Sequence, residues 1–219
     1  MLVTSRSAAE YRAMFGLPSG ALPGPVLDCS AGGASFAAET GDEVVAVDPS
    51  YVAGRAALVA GVRAALVDGD RIIASHADRF DWSWYGGRSE RAAMRTGAAA
   101  AFLADLARRP GRYVAGALPH LPLGTGSVEL ALCSHLLFTW ADRFDEHWHR
   151  AALIELARVA RREVRVYPLV VKGTGDPVPF LDGLRADLHA AGLPSTLRPV
   201  PYRFQRGADR MLVVDTSGR

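Results

Sequence analysis

Residues 26–48 constrain the chain more than any other stretch. An apolar pair, Val26 and Leu27, runs into Asp28, and small residues follow from Cys29 to Ser35. Phe36-Ala37-Ala38-Glu39 favours helix, Gly41 is a natural stop, and a second apolar run at 44–47 ends in Asp48. The pattern predicts strand, tight turn, helix and strand, with an acid at the tip of the second strand. Small residues let backbone approach a ligand closely, and a helix N-terminus offers unpaired N–H groups. An acid at the second strand tip can accept both hydroxyls of a ribose. The interval from Asp28 to Asp48, about twenty residues, is the separation such a unit needs. Ser30 and Ala34 stand where a G-x-G-x-x-G turn carries glycine, so a plain βαβ unit without a ligand remains an alternative.

At 219 residues the chain can bury a full α/β core. Its net charge of +2 gives no electrostatic case for nucleic acid or a membrane surface. Lys172 is the only lysine, and arginine with many alanines is the composition of a GC-rich, bacterial-type genome. Cys29 and Cys133 fall at expected strand ends, imply no disulfide framework and fit a reducing cytoplasm. The first residues carry no apolar signal core, and no run approaches membrane-spanning length. No apolar stripe marks a dimer face.

The remaining elements follow from periodicity. A helix is expected over 4–16, with Thr4 or Ser5 as cap and Tyr11, Met14 and Phe15 on its apolar face. A helix over 52–67 comes next. The interval 68–110 is too long for a simple connection and predicts an inserted helical cap, its helix running over 89–108 from Ser89. Strands are expected at 113–117, 128–133 and 163–169, with helices at 142–160 and 177–191. Two last strands, 196–204 and 210–214, make a hairpin.

Specific stretches resemble a known family. The run from Leu27 to Phe36 is similar to the D-x-G-x-G motif of class I S-adenosylmethionine-dependent methyltransferases, and Val45-Ala46-Val47-Asp48 to their second motif. Leu118-Pro119-His120-Leu121-Pro122-Leu123, then residues 127–135, resemble a further conserved region, with Glu129 in place of the usual aspartate. The likeness covers residues 25–215. It implies one doubly wound, Rossmann-like α/β domain over 1–219, closed by a C-terminal antiparallel hairpin, with an N-terminal lid at 1–24 and the cap at 68–110. It also implies S-adenosylmethionine as co-substrate. Asp48 would hold the ribose beside Pro49. Ser30, Ala31, Gly32 and Gly33 would border the methionine end, with Asp28 orienting that loop. Ala117 and Leu118 would border the adenine, and the backbone at Ser134 would border the co-substrate. The acid that many relatives use for the adenine amine is replaced here by Ala117-Leu118, so backbone would serve.

Around the reacting centre, Tyr11, Tyr85 and His135 are the candidates for catalysis. Tyr11 and Phe15 either cover the co-substrate or dock their helix on the sheet. Phe80-Asp81-Trp82-Ser83-Trp84-Tyr85 holds two of the four tryptophans, and aromatic faces attract cations such as a sulfonium. That cluster either lines the site or anchors the insertion, with Trp82 favouring the anchor. His135, leaving the C-terminal end of a strand, can be a general base or a packed helix residue. Ser134-His135 is no hydrolase pair, since no G-x-S-x-G elbow exists. Asp145, His147 and His149 do not read as a metal site, because the two histidines are two apart and diverge on a helix.

The expected function is methyl transfer to a small molecule, with no nucleic acid partner. Two alternatives stay open. One is an enzyme that consumes S-adenosylmethionine by intramolecular cyclisation to azetidine-2-carboxylate, releasing methylthioadenosine. The other is a non-catalytic S-adenosylmethionine-binding protein. A nicotinamide dehydrogenase is weakened by the single βαβ fingerprint and the C-terminal hairpin.

Overall fold

The computed structural model describes residues 3–41 and 43–218; residues 1 and 2 of the expected N-terminal lid lie outside that description. Seven strands form one sheet in the order β3-β2-β1-β4-β5-β7-β6. They are β1 (Val26–Cys29), β2 (Val44–Asp48), β3 (Tyr113–Ala115), β4 (Val128–Ser134), β5 (Ala160–Tyr167), β6 (Ser195–Pro199) and β7 (Arg210–Asp215). The first five run parallel, and β7 pairs antiparallel with both β5 and β6.

Strand side chains alternate between faces, and the central strands are buried on both. Val26, Leu130 and Leu132 point into one core with helices α1 (Ala8–Phe15), α2 (Phe36–Thr40), α3 (Arg55–Ala74) and α4 (Arg88–Arg108). Leu27, Ala131 and Cys133 point into the other, against α5 (Glu146–Val159) and α6 (Leu181–Ala190). The result is a three-layer α/β domain whose parallel strands all end at one edge.

Several boundaries move for local reasons. Helix α1 starts later than expected because Ser7, not Thr4 or Ser5, caps it. Ser7 and Glu10 form a reciprocal capping box, and Gly16 ends the helix in the left-handed region at φ 57°. Helix α3 runs past 67 to Ala74, since Leu66 and Ile73 keep packing on the core and Arg71 pairs with Asp68 at 3.5 Å. Only 75–87 is irregular or short helix. Ser89 is not a cap: α4 begins at Arg88 after Gly87, and the Ser89 hydroxyl donates to Glu90. Helix α5 starts at Glu146, where Asp145 accepts from the Trp148 amide at 2.8 Å. Pro177 and Pro179 delay α6 to Leu181, and Pro199 and Pro201 end β6 early because they bring no N–H.

The aromatic cluster at 80–85 is an anchor. Phe80 stacks on Phe204 at 4.6 Å and Trp82 meets the same ring edge-on at 5.4 Å. The Asp81 amide donates to the Phe204 carbonyl at 2.8 Å. This clamps the α3–α4 connection to the β6–β7 connection.

Candidate active site

The C-terminal ends of β1 and β2 bring Asp28 and Asp48 to opposite sides of one loop, residues 30–35. Asp48 Oδ2 accepts from the Gly32 amide at 2.9 Å, and its Oδ1 from the Ser50 amide and hydroxyl at 2.8 and 2.5 Å. Asp48 thereby caps the single helical turn that begins at the exposed Pro49. Tyr51 donates its hydroxyl to the Gly32 carbonyl at 2.7 Å.

Every amide of the loop already has an acceptor. Ser30 and Ala31 donate to the Val47 carbonyl, Gly32 to Asp48 and Ala34 to the Ala31 carbonyl. Gly33 donates to the Thr4 carbonyl at 3.0 Å and Ser35 to the Arg6 carbonyl at 2.8 Å. The N-terminal segment thus takes two amides of the loop, while the first-turn amides of α2, Phe36 to Ala38, have no acceptor among the described residues, as a helix start predicts. The segment lies so close that a Cβ at Gly32 would meet the Thr4 carbonyl oxygen at 3.1 Å, and one at Gly33 the Ser5 hydroxyl at 2.8 Å. Gly32 also has φ +58°, so this position needs glycine twice over. Helix α2 has only five residues and adds little dipole.

What remains open at this loop is acceptors. Asp28 is 1% exposed; its Oδ1 accepts from Tyr11 and its Oδ2 has no partner among the described residues. Burial pushes the Asp28 carboxyl up to about 7; the Tyr11 hydrogen bond opposes that, nearby Asp48 adds to it, and Arg6 opposes it. Tyr11 itself is 1% exposed, stacked on Phe36 with ring centroids 4.7 Å apart.

Tyr85 is buried in a second polar group. Its hydroxyl donates to Glu10 Oε1 at 2.5 Å, lies 2.6 Å from the Tyr202 hydroxyl and accepts from Arg95 at 3.3 Å. Glu10 is fully buried and pairs with Arg95 at 2.7 Å. Burial alone would raise Glu10, but Arg95, Tyr85 and Arg6 outweigh it and hold the carboxyl below its ordinary value. Sequence reasoning missed Glu10, Arg95 and Tyr202. The Ser7-x-x-Glu10 spacing was a legible sign for Glu10; the other two meet it only through tertiary contacts.

Ser134 and His135 end β4. His135 adopts φ 57°, its amide donates to the Tyr167 carbonyl at 2.8 Å, and its Nδ1 lies 2.8 Å from Ser134 Oγ. Burial, then the positive fields of Arg6, Arg95 and Arg91, hold His135 well below its ordinary value, so the ring is neutral at pH 7. Ala117 is exposed and pairs with His120, while the Leu118 side chain is buried in the core on the α5 face. His149 is a core residue: its Nε2 accepts from the Phe138 amide at 2.9 Å and its Nδ1 lies 2.8 Å from the Asp145 carbonyl. Among the described residues no His, Cys, Asp and Glu cluster has the makings of a metal site.

The sheet order, five parallel strands followed by an antiparallel β7 inserted between β5 and β6, decides the architecture. The fold is that of the class I methyltransferases. No protein-family model matches the chain, and no curated protein does. Among solved structures it is similar to a magnesium protoporphyrin IX methyltransferase from Synechocystis PCC 6803 with bound SAH, at 14% identity and TM-score 0.45, covering 88% of this chain and 74% of that one. It is also similar to a SAM-dependent methyltransferase from Aquifex aeolicus, at 14% identity and TM-score 0.42, covering 95% and 87%. The pyocyanin biosynthetic protein PhzM matches at 13% identity and TM-score 0.45, covering 95% and 54%.

Proposed function

We propose that this chain is a methyltransferase that uses S-adenosylmethionine on a small-molecule acceptor. The observation that carries the reading is the chemistry of the loop between Asp28 and Asp48. All its amides are taken, while two carboxylates with spare lone pairs face it. A dinucleotide needs donors for its pyrophosphate, and the amides of residues 30–35 offer none. A ligand that is cationic and carries ribose hydroxyls needs acceptors, and these residues fit it.

Bound there, S-adenosylmethionine supplies an electrophilic methyl group on a sulfonium. Asp48 accepts from the ribose hydroxyls while keeping Gly32 and Ser50. Asp28 Oδ2 accepts from the ammonium, with Tyr11 fixing the carboxylate's orientation. The segment 4–6 covers the loop and excludes water, which suits a transfer that depends on alignment. Ser134 has one proton and two neighbours, with Met14 Sδ at 4.0 Å and His135 Nδ1 at 2.8 Å. When that proton faces Met14, Nδ1–H of His135 donates to Ser134 and Nε2 keeps a lone pair to take the acceptor's proton. Tyr85, held by Glu10, Arg95 and Tyr202, shapes the wall instead of exchanging protons.

No helix of the described residues is long and apolar enough to cross a membrane, and the free, buried thiols of Cys29 and Cys133 fit a reducing cytoplasm. The deciding experiment incubates the protein with S-adenosylmethionine and candidate acceptors and identifies adenosyl products by mass. S-Adenosylhomocysteine that forms only with an acceptor supports the reading. Methylthioadenosine formed without one replaces it by intramolecular cyclisation, and binding without turnover leaves a binding protein.

A further inference from the structure

A cavity of about 420 Å³ lies between the N-terminal segment, the second half of α3 and the first half of α4. Arg6, Arg91 and Arg95 all line it. In each of the three, Nε is buried and has no hydrogen-bond partner among the described residues. Arg95 has a side chain only 9% exposed; its other nitrogens hold Glu10 at 2.7 Å and the Ser5 carbonyl at 2.8 Å. Arg91, with a side chain 11% exposed, lies over the Phe204 ring at 5.1 Å and reaches its nearest carboxylate, Asp70, only at 4.0 Å. Arg6 donates to the Thr4 hydroxyl at 3.0 Å. Unsatisfied buried donors of this kind are costly, and guanidinium groups that share a cavity repel one another.

The charges do not balance. Three guanidinium groups meet two ion-paired carboxylates, Glu10 against Arg95 and Asp70 at the rim, leaving one positive charge over whenever the Asp28 carboxyl, which also feels Arg6, keeps its proton or is matched by a bound ammonium. Neutral His135 adds nothing. A monoanion restores neutrality, whereas a dianionic phosphate overshoots. A carboxylate also matches the planar guanidinium in shape. Leu66 and its apolar neighbours on α3 leave room for an organic body beside the charge. Arg6 links the two sites: its carbonyl receives the Ser35 amide of the Asp28–Asp48 loop while the same residue lines the cavity.

We propose that this cavity is an anion site that holds a carboxylate of the methyl acceptor, with Arg6, Arg91 and Arg95 as its donors. The assignment of the ligand as an acceptor rests on the methyltransferase reading; the anion site itself rests on the three arginines. The substrate class is then a small, partly apolar monocarboxylic acid.

Benzoate is the probe, titrated calorimetrically into the full chain against chloride at equal ionic strength. Saturable binding is expected, weakened at least tenfold by Arg91→Gln and by Arg6→Gln. Arg6→Gln leaves the Glu10–Arg95 pair intact, so a folding defect in Arg91→Gln does not decide the matter. S-Adenosylmethionine titrated into the benzoate-saturated protein is expected to bind with unchanged affinity. No saturable benzoate binding, or binding indifferent to both substitutions, overturns the anion site while leaving the co-substrate reading intact. Competition between benzoate and S-adenosylmethionine assigns the cavity to the co-substrate's own carboxylate and overturns the acceptor assignment. Benzoate binding in a protein that does not bind S-adenosylmethionine overturns that assignment together with the methyltransferase reading.

Discussion

Tyr11 donates a 2.9 Å hydrogen bond to Asp28 Oδ1, and among the described residues it is the one donor this carboxylate has. The pair joins helix α1 to the end of β1, and it sets the protonation behaviour of the candidate site. A buried carboxylate with one neutral donor sits near the point where it can be charged or neutral at working pH.

Tyr11→Phe removes that donor and leaves the stacking on Phe36 in place. Stability should fall by about 1–3 kcal/mol at pH 8, where Asp28 is ionised and then wholly unpartnered. At pH 5, where it is protonated, the loss should be smaller. Urea unfolding at the two pH values measures the difference, and equal losses would contradict this role for Tyr11.

Asp28→Asn should change the slope of stability against pH. The Asp28 carboxyl stands at about 7 in the folded chain, against an ordinary 3.8. Between those values the folded state keeps a proton that the unfolded state has lost, so wild-type stability falls as pH rises through that window. The cost is complete above about pH 7 and is on the order of 4 kcal/mol. The variant should therefore gain on the wild type from pH 4 to 8 in denaturant titrations. A difference that stays constant over that range would show that Asp28 ionises at its ordinary value.

Asp48→Asn keeps an acceptor for Gly32 but loses the charge that faces the ribose. Affinity for S-adenosylmethionine should fall roughly 10- to 100-fold, as expected for loss of hydrogen bonds to a charged group. Asp48→Ala also unpartners the Gly32 amide and should cost stability as well. Thermal unfolding beside calorimetry separates the two effects, and unchanged affinity in both variants would remove Asp48 from the site.

Trp82 and Phe204 should couple energetically. A double-mutant cycle to alanine is expected to give an interaction of about 0.5–1.5 kcal/mol for an edge-on aromatic pair. Additive losses in urea unfolding would mean that the 80–85 segment is not anchored through this contact.

What the sequence made legible was local. Asp28, the small-residue loop and Asp48 are contiguous, so spacing alone put both acids at the tips of adjacent parallel strands, and the C-terminal hairpin was readable from two strands and a turn. What escaped was set by distant partners. Nothing near Gly33 or Ser35 announces that Thr4 and Arg6 take their amides, since those acceptors lie roughly thirty residues away and belong to irregular backbone. Tyr11 and Tyr85 read as groups open to a substrate, but their hydroxyls are engaged by Asp28 and by Glu10 and Tyr202. Arg6, Arg91 and Arg95 come together only because α3 and α4 fold back over the N-terminal segment, and surface-looking arginines in a helix carry no periodic sign of that.

Calorimetric titration with S-adenosylmethionine near pH 7, in two buffers of different ionisation enthalpy, tests the central claim most directly. A cation placed against Asp28 lowers its pKa, so binding should release protons, visible as a buffer-dependent heat that vanishes in Asp28→Asn. No binding of S-adenosylmethionine, or tighter binding of a nicotinamide dinucleotide in its place, would contradict the assignment of the Asp28–Asp48 loop.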